Sequence, residues 1–179
     1  MSVIQVHDKF FRPYISARQI ADKINEIAVN LERDYEGKTP LFIAILNGSF
    51  MFASDLFKVL NMPAEICFIK LASYKGTKSS GTVITSIGLD VDIFGKHVVI
   101  LEDIIDTGIT MSHILSQLNY YQPKSVKLLT LLFKPKALKT PINPDYVCFE
   151  IEPEFVLGYG LDYDGLGRNL PDIYVEMKE

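Results

Sequence analysis

The chain has 179 residues, 48% of them hydrophobic and 22% charged, with a formal net charge of −4. That length holds one domain with a full core and is too short for two of ordinary size, so a single domain over 1–179 is expected. The composition excludes a disordered polymer, no run reaches the roughly 18 apolar residues of a membrane span, and the acidic balance offers nucleic acid no overall field.

In chain order, Ser16 followed by Gln19 has the pattern of a capping box, and Ile20, Ile24, Ile27 and Leu31 recur at helical spacing until Gly37, which predicts a first helix. LFIAIL (41–46) is a buried strand by its unbroken apolar run, NGS (47–49) a turn, and FMFASDLFKVL (50–60) a helix. EICFIKLA (65–72) and TVITSIG (82–88) are strands with a polar loop between them. Next come a β-branched strand from Val98 to Leu101, a helix over about 110–120 and a strand over 125–133. Alternating strands and helices predict an α/β fold with a parallel, doubly wound sheet and right-handed crossovers. There is no internal repeat or low-complexity tail.

The opening MSVIQVHDKFF has no export-type apolar core and an early acid. Cys67 and Cys148 each sit in an apolar run, far apart in sequence, which suits free buried thiols in a reducing cytoplasm. His7, His97 and His113 share no metal-ligand spacing, so neither zinc nor redox chemistry is indicated.

The stretch VVILEDIIDTGITM (98–111) carries the most chemistry. Glu102 and Asp103 emerge at the carboxyl end of a central strand, the edge of an open α/β sheet where ligands bind, and two adjacent carboxylates suit a vicinal diol. Asp106, Thr107, Gly108, Ile109 and Thr110 then bring small side chains, hydroxyls and backbone amides to a helix N-terminus, where the partial positive charge favours phosphate. A solubilising loop with an Asp-Thr helix cap is the plain alternative.

Four other segments stand out. Asn47 and Gly48 form a second strand-to-helix turn, in which glycine lets amides approach an anion. ASYKGTKSSG (72–81) is short of apolar residues and holds Lys75 and Lys78 together with Gly76 and Gly81, so it is either an exposed hairpin connection or a lid over a polyphosphate. Lys134 follows a buried strand directly, again at the ligand edge. PEFVLGYGLDYDGLGRNLPDI (153–173) combines an aromatic residue, closely spaced glycines, acids and one arginine without regular periodicity.

Segment 98–111 resembles the signature of the type I phosphoribosyltransferases, and FVLGYGLDYDGLGRNL resembles the base-binding end of their hypoxanthine-guanine branch. The resemblance implies the type I fold, a central mostly parallel sheet flanked by helices with a small hood lobe built from the chain termini. It implies transfer of a phosphoribosyl group from 5-phosphoribosyl 1-diphosphate to a 6-oxopurine, in purine salvage. Asp106 would then be catalytic, at the purine N7 position. Glu102 and Asp103 would hold the ribose, residues 107–110 its 5′-phosphate, and Asn47, Gly48, Ser73, Tyr74 and Arg168 the pyrophosphate side. Lys134 would donate to the 6-oxo group, Phe155 would stack on the purine and Val156 would offer its backbone. Asp162, with Glu102 and Asp103, would ligate Mg2+. Many relatives carry a basic residue where this chain has Asn47, which leaves the loop amides to contact the pyrophosphate.

The resemblance further implies a homodimer or homotetramer acting on small molecules, without nucleic acid or membrane. The other readings at this point are a phosphoribosyltransferase for a different base, an RNA-binding regulator on the same fold, and an Asp-dependent phosphatase.

Overall fold

A parallel sheet whose strands are apolar on both faces needs cover on both sides, and the chain provides it. In the computed structural model, which describes residues 2–70 and 89–177 together with the backbone of 73–74 and 83–84, five parallel strands lie in the order β4 (Glu65–Lys70), β3 (Leu41–Leu46), β7 (His97–Ile105), β8 (Ser125–Phe133), β9 (Tyr146–Glu150). Phe42, Ala44, Val99, Leu101, Leu129 and Leu131 form one face, covered by α1 (Ala17–Asp34) through Ile20, Ile24, Ile27 and Leu31 and by α2 (Phe50–Val59) through Phe52 and Leu56. On the other face Leu41, Ile43, Ile45, Val98, Ile100 and Leu128 meet Met111, Ile114 and Leu118 of α3 (Ile109–Tyr120).

A second, antiparallel sheet is built from both ends of the chain: β1 (Ile4–Val6), β2 (Lys9–Ile15), β11 (Ile173–Glu176) and β10 (Val156–Leu157), in that order. Its own small core is Val6, Phe11, Leu157 and Tyr174. β5 (Ser73–Tyr74) pairs with β6 (Val83–Ile84), antiparallel. This is the architecture that the resemblance implies: a parallel sheet flanked by helices, with a small lobe built from the chain termini.

The expected helices and the strands at 41–46 and 125–133 stand where the sequence puts them. The capping box is present, with Ser16 and Gln19 bonded reciprocally, but α1 ends at Asp34, before Gly37. The strand expected over 65–72 is described to Lys70, and of the one expected over 82–88 only 83–84 is described. Lys75, Gly76, Lys78 and Gly81, the core of the expected lid, lie outside the described residues. Cys67 and Cys148 are free and buried, and burial pushes the Cys148 thiol up to about 12. Among the described residues no helix is long and apolar enough to cross a membrane.

Candidate active site

Strand register brings the site together. Ala44 of β3 stands opposite Leu101 of β7, so the turn after β3 and the acids of β7 arrive at the same sheet edge. The Leu46–Asn47 peptide there is cis. A methyl group on Gly48 would overlap the Asp103 carboxylate, so a side chain at 48 would drive the acid out of place.

Two helix starts open on this edge. Ser49, the N-cap of α2, turns its hydroxyl back to donate to the Ile45 carbonyl at 2.6 Å and makes no side-chain cap. Gly108, the N-cap of α3, has φ 76° and no side chain to cap with. Its place is fixed from behind: the amides of Lys139 and Thr140 donate to the Thr107 carbonyl at 2.9 and 3.2 Å, and a Cβ on Gly108 would lie 2.6 Å from the Thr140 carbonyl oxygen. The capping box of α1, remote from this edge, closes its own first turn. The two helices at the site leave theirs without a side-chain cap, which is how an anion-binding helix start is built.

Glu102 is buried at the strand end, and burial, reinforced by the hydrogen bond and charge of neighbouring Asp103, holds its carboxyl well above the usual 4.5. The folded protein therefore keeps a proton that the unfolded chain releases above 4.5. This group's contribution to stability is fully present below that value and is lost as pH rises toward the raised folded value. Glu102→Gln, which mimics the protonated acid, is expected to keep or raise the melting temperature, by more at pH 8 than at pH 5. Each 1 kcal/mol gained is worth about 2–4 °C in a chain of this size. Thermal melts across that range test this, and a lower melting temperature at pH 8 would refute it.

Ile105 and Phe133 are register partners on β7 and β8, so the next residues, Asp106 and Lys134, face each other across the strand ends. Lys134 Nζ lies 2.8 Å from Asp106 Oδ2. The lysine side chain is 8% exposed and the aspartate 50%, so a buried cation is held by an acid whose other side meets solvent.

The hood closes the remaining side. A Cβ on Gly160, at φ 101°, would overlap the Gly48 carbonyl oxygen, so the hood backbone rests on the turn after β3. Arg168 donates through Nη1 to the Gly160 carbonyl at 2.7 Å and pairs through Nη2 with Asp162 Oδ1 at 2.6 Å. The Gly165 amide donates to Asp162 Oδ2 at 2.7 Å. Tyr159, buried in the core, donates to Asp55 Oδ2 of α2 at 2.7 Å, and burial raises its phenol far above 10. Tyr159→Phe is expected to cost about 1.5–3 kcal/mol, the usual worth of a hydrogen bond to a charged group. Urea unfolding measures it, and a loss below about 0.5 kcal/mol would mean the bond does not anchor the hood.

These parts enclose one cavity of about 340 Å³, lined by Asn47, Gly48, Glu102, Asp103, Asp106, Thr107, Gly108, Thr110, Asp162 and Arg168 among others. Ten of the residues singled out in the sequence thus converge. Lys134 touches the cavity through Asp106. Ile109 turns its side chain partly to solvent, Val156 is buried in β10 opposite Val175, and Phe155 stands partly exposed on the hood. Of Ser73 and Tyr74 only the backbone pairing in β5 is described. Leu46, Ile104, Ile105 and Met111 also line the cavity. Ile104, Ile105 and Met111 lie inside the 98–111 stretch and Leu46 ends the strand before the Asn47 turn, but as apolar residues they are given no role of their own. Among the described residues no group of three or more His, Cys, Asp or Glu is placed to hold a metal by protein atoms alone.

The sequence profile of the phosphoribosyl transferase domain family matches residues 14–164. The chain belongs to this family. The phosphoribosyltransferase is 41% identical over 165 residues to the hypoxanthine-guanine phosphoribosyltransferase of Streptococcus agalactiae, covering 92% of either chain. It is also 41% identical over 169 residues to the bifunctional protein TilS/HprT of Listeria innocua, but spans only 26% of that longer protein. Among solved structures, a hypoxanthine-guanine phosphoribosyltransferase from Bacillus anthracis superposes with a TM-score of 0.83 at 38% identity, covering 93% of this phosphoribosyltransferase and 97% of the other chain.

Proposed function

We propose that the protein transfers the 5-phosphoribosyl group of 5-phosphoribosyl 1-diphosphate to hypoxanthine or guanine, giving IMP or GMP and pyrophosphate, as a cytoplasmic purine-salvage enzyme that works as a homodimer or homotetramer. One observation carries the reading: acids for a diol, two helix starts for phosphates, and an arginine for a leaving group all open on the same cavity.

Glu102 and Asp103 accept the ribose hydroxyls. The amides and hydroxyls of Thr107, Gly108, Ile109 and Thr110 take the 5′-phosphate. Asn47 and Gly48, with Arg168 and with Ser73 and Tyr74, meet the pyrophosphate, which gathers negative charge as its oxygen leaves the anomeric carbon and the bond from that carbon to the purine nitrogen forms. The acids facing the ribose make the cationic character growing at its anomeric carbon less costly. The 6-oxo oxygen and N7 lie next to each other on one edge of the purine. That acceptor-donor edge fits the donor-acceptor pair of Lys134 and Asp106, which stand 2.8 Å apart. Asp106 holds or accepts the N7 proton while the opposite ring nitrogen attacks, and Phe155 stacks on the ring with the Val156 backbone at its edge. Adenine would turn an amino group toward an ammonium that has only donors, so it is rejected.

The oxygen donors suit Mg2+, which is commonly held by one or two carboxylates with phosphate oxygens and waters rather than by a protein cage. Asp162 would hold it, with Glu102 and Asp103 on the ribose side. Each Asp162 oxygen carries one hydrogen bond or ion pair and keeps acceptor capacity for a cation. When bound, the ion neutralises charge on the pyrophosphate oxygens.

Incubation with the diphosphate donor, Mg2+ and each purine in turn tests the assignment. IMP and GMP should form and AMP should not. Product from adenine or orotate alone would replace the reading with another base class.

A further inference from the structure

Phe155 is not held by its own segment alone. The tip of the β1–β2 hairpin reaches over it and places a cation against its ring: Lys9 Nζ is 5.1 Å from the Phe155 ring centroid and 5.4 Å from that of Tyr163. The two rings stand edge to face, with centroids 5.5 Å apart and planes at 78°. Phe11 packs against both, at 6.1 and 6.4 Å. Tyr163 is fixed in turn, since its hydroxyl donates to Asp8 Oδ1 at 2.7 Å and the His7 ring meets it edge-on at 5.3 Å. Lys9 is itself tied down by an ion pair with Glu176 Oε1 at 2.5 Å, while the Glu176 amide donates to the Phe155 carbonyl at 2.9 Å. Three consecutive residues of the hairpin, His7, Asp8 and Lys9, are thus spent on two aromatic rings of the opposite end of the chain.

We propose that Lys9 is a positioning residue for the purine, its ammonium bracing the Phe155 ring so that the ring offers a fixed surface to the base. The inference rests on the reading that Phe155 stacks on the purine. An ammonium within about 6 Å of a ring centroid is attracted to the ring's electron-rich face. Phe155 is 37% exposed, so without the ammonium part of its surface would meet only water and neighbouring loops. Held by the lysine and by Tyr163, the ring loses little further freedom when a base lands on it, and the affinity lost to ordering falls accordingly. None of His7, Asp8, Lys9, Phe11, Phe155 and Tyr163 lines the cavity of the acids and helix starts, so the effect of the lysine is expected on the base alone.

The test compares wild-type protein with Lys9→Met, Lys9→Arg, Phe155→Leu and the double Lys9→Met/Phe155→Leu variant. IMP and Mg2+-5-phosphoribosyl 1-diphosphate are titrated separately by calorimetry, and KM for hypoxanthine and kcat are measured alongside. Lys9→Met should weaken IMP and raise the hypoxanthine KM by about two- to fivefold, the range expected for one partly exposed cation–π contact. Donor affinity and kcat should stay at the wild-type level. Lys9→Arg should restore IMP binding, and Lys9→Met should add nothing once Phe155 is leucine.

If Phe155→Leu weakens IMP while Lys9→Met leaves it unchanged, Lys9 has no part in holding the base. Loss of IMP and donor binding together, or a loss that arginine does not rescue, would make Lys9 a general stabiliser of the hood and overturn the proposal. If Phe155→Leu itself binds IMP normally, the stacking role of Phe155 fails first.

Discussion

Asp106→Asn should lower kcat by about 10², the lower end of what a positioned proton acceptor supplies, with the fold intact and the affinity for the diphosphate donor unchanged. Asparagine keeps the shape of the side chain but brings an amide N–H₂ group to the place where, on the proposed reading, the purine would present a proton. In the proposed reading the donor's phosphates and ribose hydroxyls rest on other residues, so the loss should appear with the base in place and not in donor binding. Stability should fall as well. Asp106 is half exposed, but the Lys134 side chain is only 8% exposed, and a buried ammonium left without its carboxylate costs about 3–5 kcal/mol, reduced here because asparagine keeps an oxygen acceptor beside it. Steady-state kinetics with hypoxanthine, circular dichroism and donor titration together decide the matter, and wild-type turnover would remove Asp106 from the chemistry.

Gly160→Ala is expected to damage both stability and activity. The residue has φ 101°, where L side chains are strained, and its Cβ would overlap the Gly48 carbonyl, a backbone atom that cannot rotate aside. Left-handed strain alone costs on the order of 1–3 kcal/mol, and relief requires the hood to lift from the turn after β3. Lifting it would carry Arg168 and Asp162 away from the acids of β7, since Arg168 is bonded to the Gly160 carbonyl. A misplacement of about 1 Å can cost around 10² in rate. We therefore expect a melting temperature lower by several degrees and kcat/KM lower by about 10² or more. Gly165→Ala is the control, because a Cβ there meets nothing within 4 Å, and it should lose only the local backbone term. Equal activity losses in the two variants would show that contact with Gly48 is unimportant.

The sheet and its helices were legible because their signals are local. An unbroken apolar run such as 41–46 or 98–101 is short enough and bounded by turn or polar residues in the way of a strand covered on both faces, and the Ser16–Gln19 box with Ile20, Ile24, Ile27 and Leu31 marks a helix start and its buried stripe. The acids and the Thr107–Gly108 turn were legible for the same reason, standing directly after a strand. What the pattern did not assign is the hood: β1 has three residues and β10 two, and the pairing that joins its two halves, β2 with β11, links opposite ends of the chain. No window along the sequence contains both halves of such a pairing. The Asp106–Lys134 pair was likewise out of reach, since it depends on β7 and β8 being neighbours in register. Residues 155 and 168 were picked out only through resemblance, because glycine-rich irregular backbone carries no period to read.

The pairing of β11 with β2 joins segments at the two ends of the described chain, and it sets the order in which the parts can arise during translation. A nascent polypeptide emerging from the ribosome can pack α1, α2 and the five parallel strands once Glu150 is out, but the hood has no β11 until Ile173–Glu176 has emerged. Vectorial synthesis therefore yields first a body with its uncapped helix starts and the Asp106–Lys134 pair, and only afterwards the hood that closes over them.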